Sequence, residues 1–369
     1  MRKTDIFSKN IANIFKYLIF KVKKYHTIYN LREQISLEVL INKYKANYEN
    51  IIIPFKEALY LTKYTGNPIL EGGKSGEWDE TGIFQPFLFY NGQKYFLYYE
   101  SERLSKARNW QIGLATAEKI TGPWKKHPDN PILKYTGNEG DFDKVCIADP
   151  AVVKYNNRYH MFFDMFDGKT WRIGKAYSDN GIKWEKLRKN GRTAIILDIG
   201  GKNQWDNKMI HCPEVYLWNN KLHMLYGAQG TGHIDFDTGL AIQVDENGDK
   251  FEKWGQVTAD DMFENSVTVS RLQAGFIING IIISALRIIQ RDNNDTVYMV
   301  FSDDGGKSWN KLSGPILKPG KKNEWDSKLF YGLNTWIISE NKLWTAYLGG
   351  KRSDLRSVGL ASMNIPKIL

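Results

Sequence analysis

One hairpin phrase returns along this chain, and such a repeat restricts the fold more than any single residue can. Its clearest copy, Ile147 to Asp164, is an apolar strand with Asp149-Pro150 at its entrance, an Asn156-Asn157 turn and a return strand rich in aromatic residues, the pattern of a β-hairpin. Related phrases run from Gln85-Pro86 to Tyr99, from Cys212-Pro213 to Tyr226, less regularly from Val267 to Leu312 around Asn279-Gly280, and from Thr335 to Tyr347. Most are followed by a Gly-containing strand, as in Ile112-Gly113-Leu114-Ala115 and Val358-Gly359-Leu360-Ala361. The first four units end in a short closing strand near Trp124, Trp184, Trp254 and Trp309. Four strands in about 50 to 65 residues describe a propeller blade. The predicted fold is all-β, a five-bladed β-propeller over residues 58–369 behind a short basic N-terminal helical extension, residues 1–57.

The fifth unit has no closing strand of its own, which would leave an unpaired blade edge. A strand near residues 59–63 would supply it, because the following Gly66-Asn67-Pro68-Ile69-Leu70 repeats Asp129-Asn130-Pro131-Ile132-Leu133 after the first blade. Charge is uneven: residues 1–63 hold twelve Lys/Arg against five acids, +7 of the formal +10. The body is therefore close to balance, and nucleic acid is not an expected partner. In the extension, Ile11, Ile14, Phe15, Leu18, Ile19 and Val22 fall at helical spacing. That helix either docks on the body or makes peripheral membrane contact through residues 6–24. Asn13, Lys16 and Lys21 interrupt the apolar run, against a signal peptide or a span. Cys146 and Cys212 cannot build a disulfide framework, and a cytoplasmic, optionally membrane-associated, location is expected.

A propeller gathers the entrance ends of its inner strands around one axis, so residues distant in sequence become neighbours. Pro86, Pro150 and Pro213 set a register that places Gln85, Asp149 and the pair His211 and Glu214 at that mouth. Counting back from Asn279-Gly280 adds Arg271, and the fifth blade offers Tyr331 and Asn334. Carboxylates, a His, an Arg and many aromatic rings suit an oligosaccharide or polysaccharide substrate. Asp149 is the leading catalytic candidate, although Asp before Pro is also a common turn-former. Strict strand alternation would put His211 and Glu214 on opposite faces, so that one of them serves as proton donor. Trp78-Asp79, Trp205-Asp206 and Trp325-Asp326 recur and read as scaffold, with Asp79 and Glu80 as reserve candidates for a base. Ser302 to Trp309 fits the Ser-x-Asp-x-Gly-x-x-Trp turn called an Asp box, and Ser178 to Trp184 is a shorter version. There is no phosphate loop, zinc spacing or nucleophile elbow, so neither a metal nor a cofactor is expected.

The Asn-Pro-Ile-Leu, Trp-Asp and Ile-Gly-Leu-Ala-Thr phrases, with Asp149-Pro150, resemble the five-bladed β-propeller glycoside hydrolases over residues 58 to 365. Family 43 and its relatives in families 32, 62, 68, 117 and 130 are the families concerned. The resemblance implies cleavage or transfer at a glycosidic bond by carboxylates on the first three inner strands. Family 43 uses a base Asp, an orienting and pKa-tuning Asp and an acid Glu, and family 32 a nucleophile Asp, a stabilising Asp and a Glu-Cys-Pro acid/base. By position Asp149 matches the middle Asp, Gln85 replaces the first, and His211 of His211-Cys212-Pro213 replaces the Glu. A Gln cannot act as base or nucleophile. Three outcomes follow: Asp79 or Glu80 takes over, His211 acts as an acid as the resemblance to family 117 implies, or the mouth only binds sugar. The leading expectation is a glycosidase, with Gln85, Glu80, Arg271, Tyr331 and Asn334 contacting substrate. A non-catalytic carbohydrate-binding propeller and a sialidase-like enzyme are the alternatives.

Overall fold

The computed structural model describes residues 60–102, 109–232, 237–257, 267–278, 280–290, 296–311, 315–327, 329–352 and 355–364. The N-terminal extension, with its expected helix and membrane contact, lies outside them. Among the described residues no helix is long and apolar enough to cross a membrane.

Five four-stranded antiparallel sheets form the blades. The inner strands are Phe84–Tyr90, Cys146–Tyr155, Met209–Trp218, Val267–Ile278 and Leu329–Ser339. Each packs on the inner strand before and after it, and the fifth packs on the first, so the blades close a ring. In the fifth blade the outer strand is Thr62–Lys63, paired with Ser362 and Ala361. The tight hairpins are set by residues that tolerate a left-handed backbone: Asn156 and Asn157 have φ of 47° and 63°, Asn219 and Asn220 of 48° and 60°.

The repeated phrases turn out to be repeated devices. Trp78 stacks on Tyr99, Trp205 on Tyr226, and Trp325 lies tilted against Tyr347, at 5.6, 5.9 and 5.6 Å. The following aspartate is buried each time and meets a lysine from the outer strand of its own blade. Asp79 pairs with Lys126, Asp206 with Lys253 and Asp326 with Lys63, all at 2.6 Å. Each also accepts a hydrogen bond from the Tyr99, Tyr226 or Tyr347 hydroxyl. Gly113, Gly239 and Gly359 allow this packing, because a Cβ there would come within 2.6, 2.3 and 2.5 Å of a Trp or Tyr ring. Asn67 and Asn130 act alike: their amides bond both the N–H and the C=O of Leu360 and Leu114. In the Asp box, Asp304 accepts from the Lys307 and Ser308 N–H groups, and Trp309 donates to Gly306. Tyr216 ties that turn to the third blade through the Gly305 carbonyl.

Candidate active site

The inner strands of the first three blades carry the same irregularity. The ladder slips between Phe84 and Phe87, between Ala148 and Ala151, and between His211 and Glu214. Each slip is a β-bulge that contains the proline, and Gln85, Asp149 and Cys212 stand at the same point with φ of 43°, 47° and 56°. Left-handed backbone at non-glycine residues costs about 1–3 kcal/mol and tends to gather at functional sites. In the fourth blade the slip falls between Gln273 and Phe276, and in the fifth a slip falls between Leu333 and Trp336. The equivalent residues of the five blades are therefore Gln85, Asp149, Cys212, Ala274 and Asn334.

This register corrects the fourth blade. Arg271 sits opposite Arg287, two residues before Gln273, and it is Gln273 that stands level with His211. Counting back from the turn failed because only three paired residues, Phe276 to Ile278, separate the bulge from the turn here, against five in blades two and three. Asn334 does occupy the bulge and Tyr331 precedes it, while the side chains of Arg271, Tyr331 and Asn334 are outside the described set. Asp79 is also corrected: its ion pair with Lys126 and its bond from Tyr99 make it part of the repeated scaffold. Glu80 accepts the Gly76 N–H and closes its own loop. Nor do His211 and Glu214 alternate. They lie opposite Gly227 and Leu225, two residues apart on one strand and so on one face, because the bulge takes up the step between them. Glu214 is buried on that face.

Two carboxyl groups that the sequence reading left out hold the bulges. Glu100, opposite Phe84 on the second strand of blade one, reaches to blade two and accepts the Asp149 N–H at 2.6 Å. Asp164, opposite Ala148 on the second strand of blade two, accepts the Cys212 N–H of blade three at 2.7 Å. The same position on consecutive blades thus anchors the next bulge. Asp164 also shares a hydrogen bond with the Asp149 side chain. Burial, then the Asp149 charge and that shared bond, raise Asp164 well above the carboxylate range, against the pull of the Cys212 N–H. Burial and the neighbouring carboxyl group thereby favour the protonated form of Asp164. Cys146 is buried beside this cluster; burial, then Glu100, Asp164 and Glu102, push its thiol far up and leave it unreactive.

Half-buried aromatic rings line the entrances of blades one and two. Phe84 meets Trp110 at 6.3 Å, Trp110 meets Trp171 at 6.1 Å, and Trp171 stacks on Phe166 at 4.7 Å. Trp110 accepts the Ile147 N–H through its carbonyl, and the Arg356 guanidinium lies 4.2 Å from the Phe84 centroid. Phe166 of the wall and Asp164 of the carboxyl pair lie on one strand, Arg158–Phe166, and rings beside carboxyl groups suit a ligand with both apolar ring faces and hydroxyl groups. In sequence the wall shows only as Trp110-Gln111-Ile112-Gly113 and Trp171-Arg172-Ile173-Gly174, equivalent positions of blades one and two.

No protein-family model matches the chain. Among curated proteins, a β-1,2-mannobiose phosphorylase of Thermoanaerobacter sp. is 27% identical over 157 residues, 39% of this chain and 48% of that protein. A Mycobacterium tuberculosis protein is 26% identical over 173 residues, 45% of this chain and 52% of its own length. The aligned region thus spans about half the length of the curated relatives it matches. Solved structures extend the likeness over most of the chain. A β-1,2-mannobiose phosphorylase from Listeria innocua, in complex with β-1,2-mannobiose, superposes with a TM-score of 0.63 at 12% identity, over 84% of this chain and 98% of its own. A family 117 glycoside hydrolase from Zobellia galactanivorans gives 0.60 at 16%, over 85% and 93%. An endo-arabinase from Bacteroides thetaiotaomicron gives 0.57 at 14%, over 81% and 98%. The chain has the five-bladed propeller fold of these carbohydrate-active enzymes.

Proposed function

We propose that the protein is an enzyme that cleaves or transfers a glycosidic bond of an oligosaccharide or polysaccharide at the mouth of the ring, with Asp149 as its proton-handling carboxyl group. The observation that carries this reading is the Asp149–Asp164 pair, two carboxyl groups that share a hydrogen bond at a bulge where Asp149 has φ of 47°. Such a pair stores one proton. As the glycosidic C–O bond breaks, the stored proton passes from Asp164 to Asp149 and from Asp149 to the leaving oxygen, and solvent restores it to the pair afterwards. The aromatic wall supports the reading by offering faces for the sugar ring.

The nucleophile is the second part of the proposal. Hydrolysis with inversion needs a base carboxylate about 6.5–9.5 Å from the acid to activate water. Gln85 cannot serve, Asp79 is bound to Lys126, Glu80 closes its own loop and Glu100 is engaged at the Asp149 N–H, which leaves Glu214, buried on the face that carries His211, as the carboxylate for that role. Inorganic phosphate needs no such base, because it arrives as an oxyanion. In phosphorolysis a phosphate oxygen bonds to the anomeric carbon, the leaving oxygen takes the proton, and a glycosyl phosphate and a shortened sugar result. The likeness to mannobiose phosphorylases points the same way, with a β-linked mannoside as the first substrate to try. Gln85 is what favours the non-catalytic alternative.

The test is turnover of β-mannosides and a panel of aryl glycosides with and without inorganic phosphate, by wild type and Asp149→Asn. Phosphate-dependent release of glycosyl phosphate that falls about 10²–10⁴-fold in the variant is the expected result. Turnover that ignores phosphate but needs Asp149 would replace phosphorolysis by hydrolysis. Sugar binding without turnover under any condition would leave the binding propeller standing.

A further inference from the structure

In a regular strand, neighbouring side chains point to opposite faces. The third bulge breaks that rule: with Cys212 in the left-handed region at φ 56°, His211 Nδ1 and Cys212 Sγ stand 2.7 Å apart. Room for the imidazole comes from the opposite strand, where a Cβ on Gly227 would lie 3.2 Å from the His211 ring. In the first two blades that opposite position holds Glu100 and Asp164. Asp164 enters from blade two and is fixed by the Cys212 N–H. One carboxylate oxygen, one imidazole nitrogen and one thiol sulphur thereby lie within 4.8 Å of one another. Asp164 and Cys212 are buried, and His211 is half-buried, so the cluster is closed on one side and reachable on the other.

We propose that Asp164, His211 and Cys212 form a binding site for a thiophilic divalent cation of the zinc type, with a fourth position open to water or a substrate oxygen. The donor set selects the ion. Thiolate, imidazole and carboxylate together suit Zn²⁺, with bonds of about 2.3, 2.0–2.1 and 2.0–2.2 Å, whereas Mg²⁺ and Ca²⁺ favour oxygen alone. Donors around a tetrahedral ion with such bonds stand roughly 3.3–3.6 Å apart, so side-chain rotations of about an ångström complete the shell. Binding releases the protons of the Cys212 thiol and Asp164 to solvent. The ion would join blades two and three at the bulge and stand beside Asp149 through Asp164. Sequence spacing could not reveal such a site, because two ligands are consecutive and the third is separated from Cys212 by 48 positions. The ion would take the Asp164 carboxylate that otherwise shares a proton with Asp149, so the loaded site and the proton store are alternative states of one residue.

The full chain, stripped with chelator, is titrated with Co²⁺ as a spectroscopic probe and then with Zn²⁺. Expected are a near-ultraviolet thiolate-to-cobalt band and visible bands that saturate near about one equivalent and are displaced by Zn²⁺. Cys212→Ser removes the near-ultraviolet band, Cys146→Ser keeps it, and His211→Ala weakens binding at least about tenfold. Should Cys212→Ser fail to fold, the His211→Ala titration decides. No band in the wild type, a band that survives in Cys212→Ser but vanishes in Cys146→Ser, or unchanged affinity in His211→Ala would overturn the proposal. Activity enters none of these readings, so failure of the metal site and failure of the glycosidase proposal remain distinguishable.

Discussion

Asp79, Asp206 and Asp326 on one side, and Asp149 on the other, are aspartates of one propeller with opposite surroundings. The first three repeat the same company in three blades: a lysine at 2.6 Å, a tyrosine hydroxyl and a tryptophan over that tyrosine. Asp149 shares its backbone position with Gln85, Cys212, Ala274 and Asn334, so only the backbone repeats there and every side chain differs. A propeller uses identical side chains where blades must be held alike. It varies them where five strands converge on one unsymmetrical ligand.

Substitutions can break this contrast. The largest structural effect should come from Asp206→Ala, which strands the Lys253 ammonium and the Tyr226 hydroxyl. Removing one partner of a buried ion pair costs about 3–5 kcal/mol. Chemical denaturation should register that loss while turnover per folded molecule stays close to wild type, the reverse of the pattern for Asp149→Asn. Equal damage to activity by both would erase the distinction drawn here.

His160, on the second strand of blade two, probes the scaffold through acid. Burial, then the Lys175 ammonium, push its imidazole down to about 4. The unfolded chain, with a His near about 6.5, binds the extra proton between those values. Stability therefore falls as pH drops from about 6.5 to about 4, by up to about 3 kcal/mol, and the loss levels off below. His160→Gln should remove that portion of the acid sensitivity, as read from denaturation midpoints at a series of pH values. Activity of the folded variant near neutrality should not change.

Asp164 sharpens the contrast from the site's side. Its raised pKa means that the folded chain keeps a proton that the unfolded chain has released. Its contribution is thus present at low pH and declines as pH rises through the folded value. Asp164→Asn keeps a donor toward Asp149 and an acceptor for the Cys212 N–H, so it should preserve the fold and flatten that alkaline decline. Asp164→Ala leaves the Cys212 N–H without its acceptor, at about 1–3 kcal/mol. A pH–rate profile in which both variants behave alike would deny Asp164 its part in holding the proton. The smallest effect belongs to the Asp box: Asp304→Ala should cost about 1 kcal/mol, with turnover unchanged.

Much of the scaffold could be read in advance. Trp-Asp, Asn-Pro-Ile-Leu and the Gly of Ile-Gly-Leu-Ala each serve a local need that every blade shares, so the need appears as a phrase. Asp149 and Gln85 were legible because a proline marks each bulge. Glu100 and Asp164 were not, since each acts on the blade after its own and nothing in its surroundings announces a partner. Trp110 and Trp171 head the phrases Trp110-Gln111-Ile112-Gly113 and Trp171-Arg172-Ile173-Gly174, a match limited to blades one and two that says nothing by itself about the two rings meeting.

Alone, then, the sequence determined the five blades, their four-strand order and the entrance carrying Asp149, because periodic alternation and turn chemistry are local properties of a chain. Tertiary structure decided which way the entrance residues face and what they meet. A one-residue slip in the ladder moves a side chain to the other face of its sheet. It put His211 beside Cys212, and a strand two residues shorter beyond the bulge moved the fourth-blade position from Arg271 to Gln273 and Ala274. Closing the ring then laid Glu100 of blade one against the bulge of blade two and Asp164 of blade two against the bulge of blade three, contacts that depend on packing between blades rather than on any stretch of sequence.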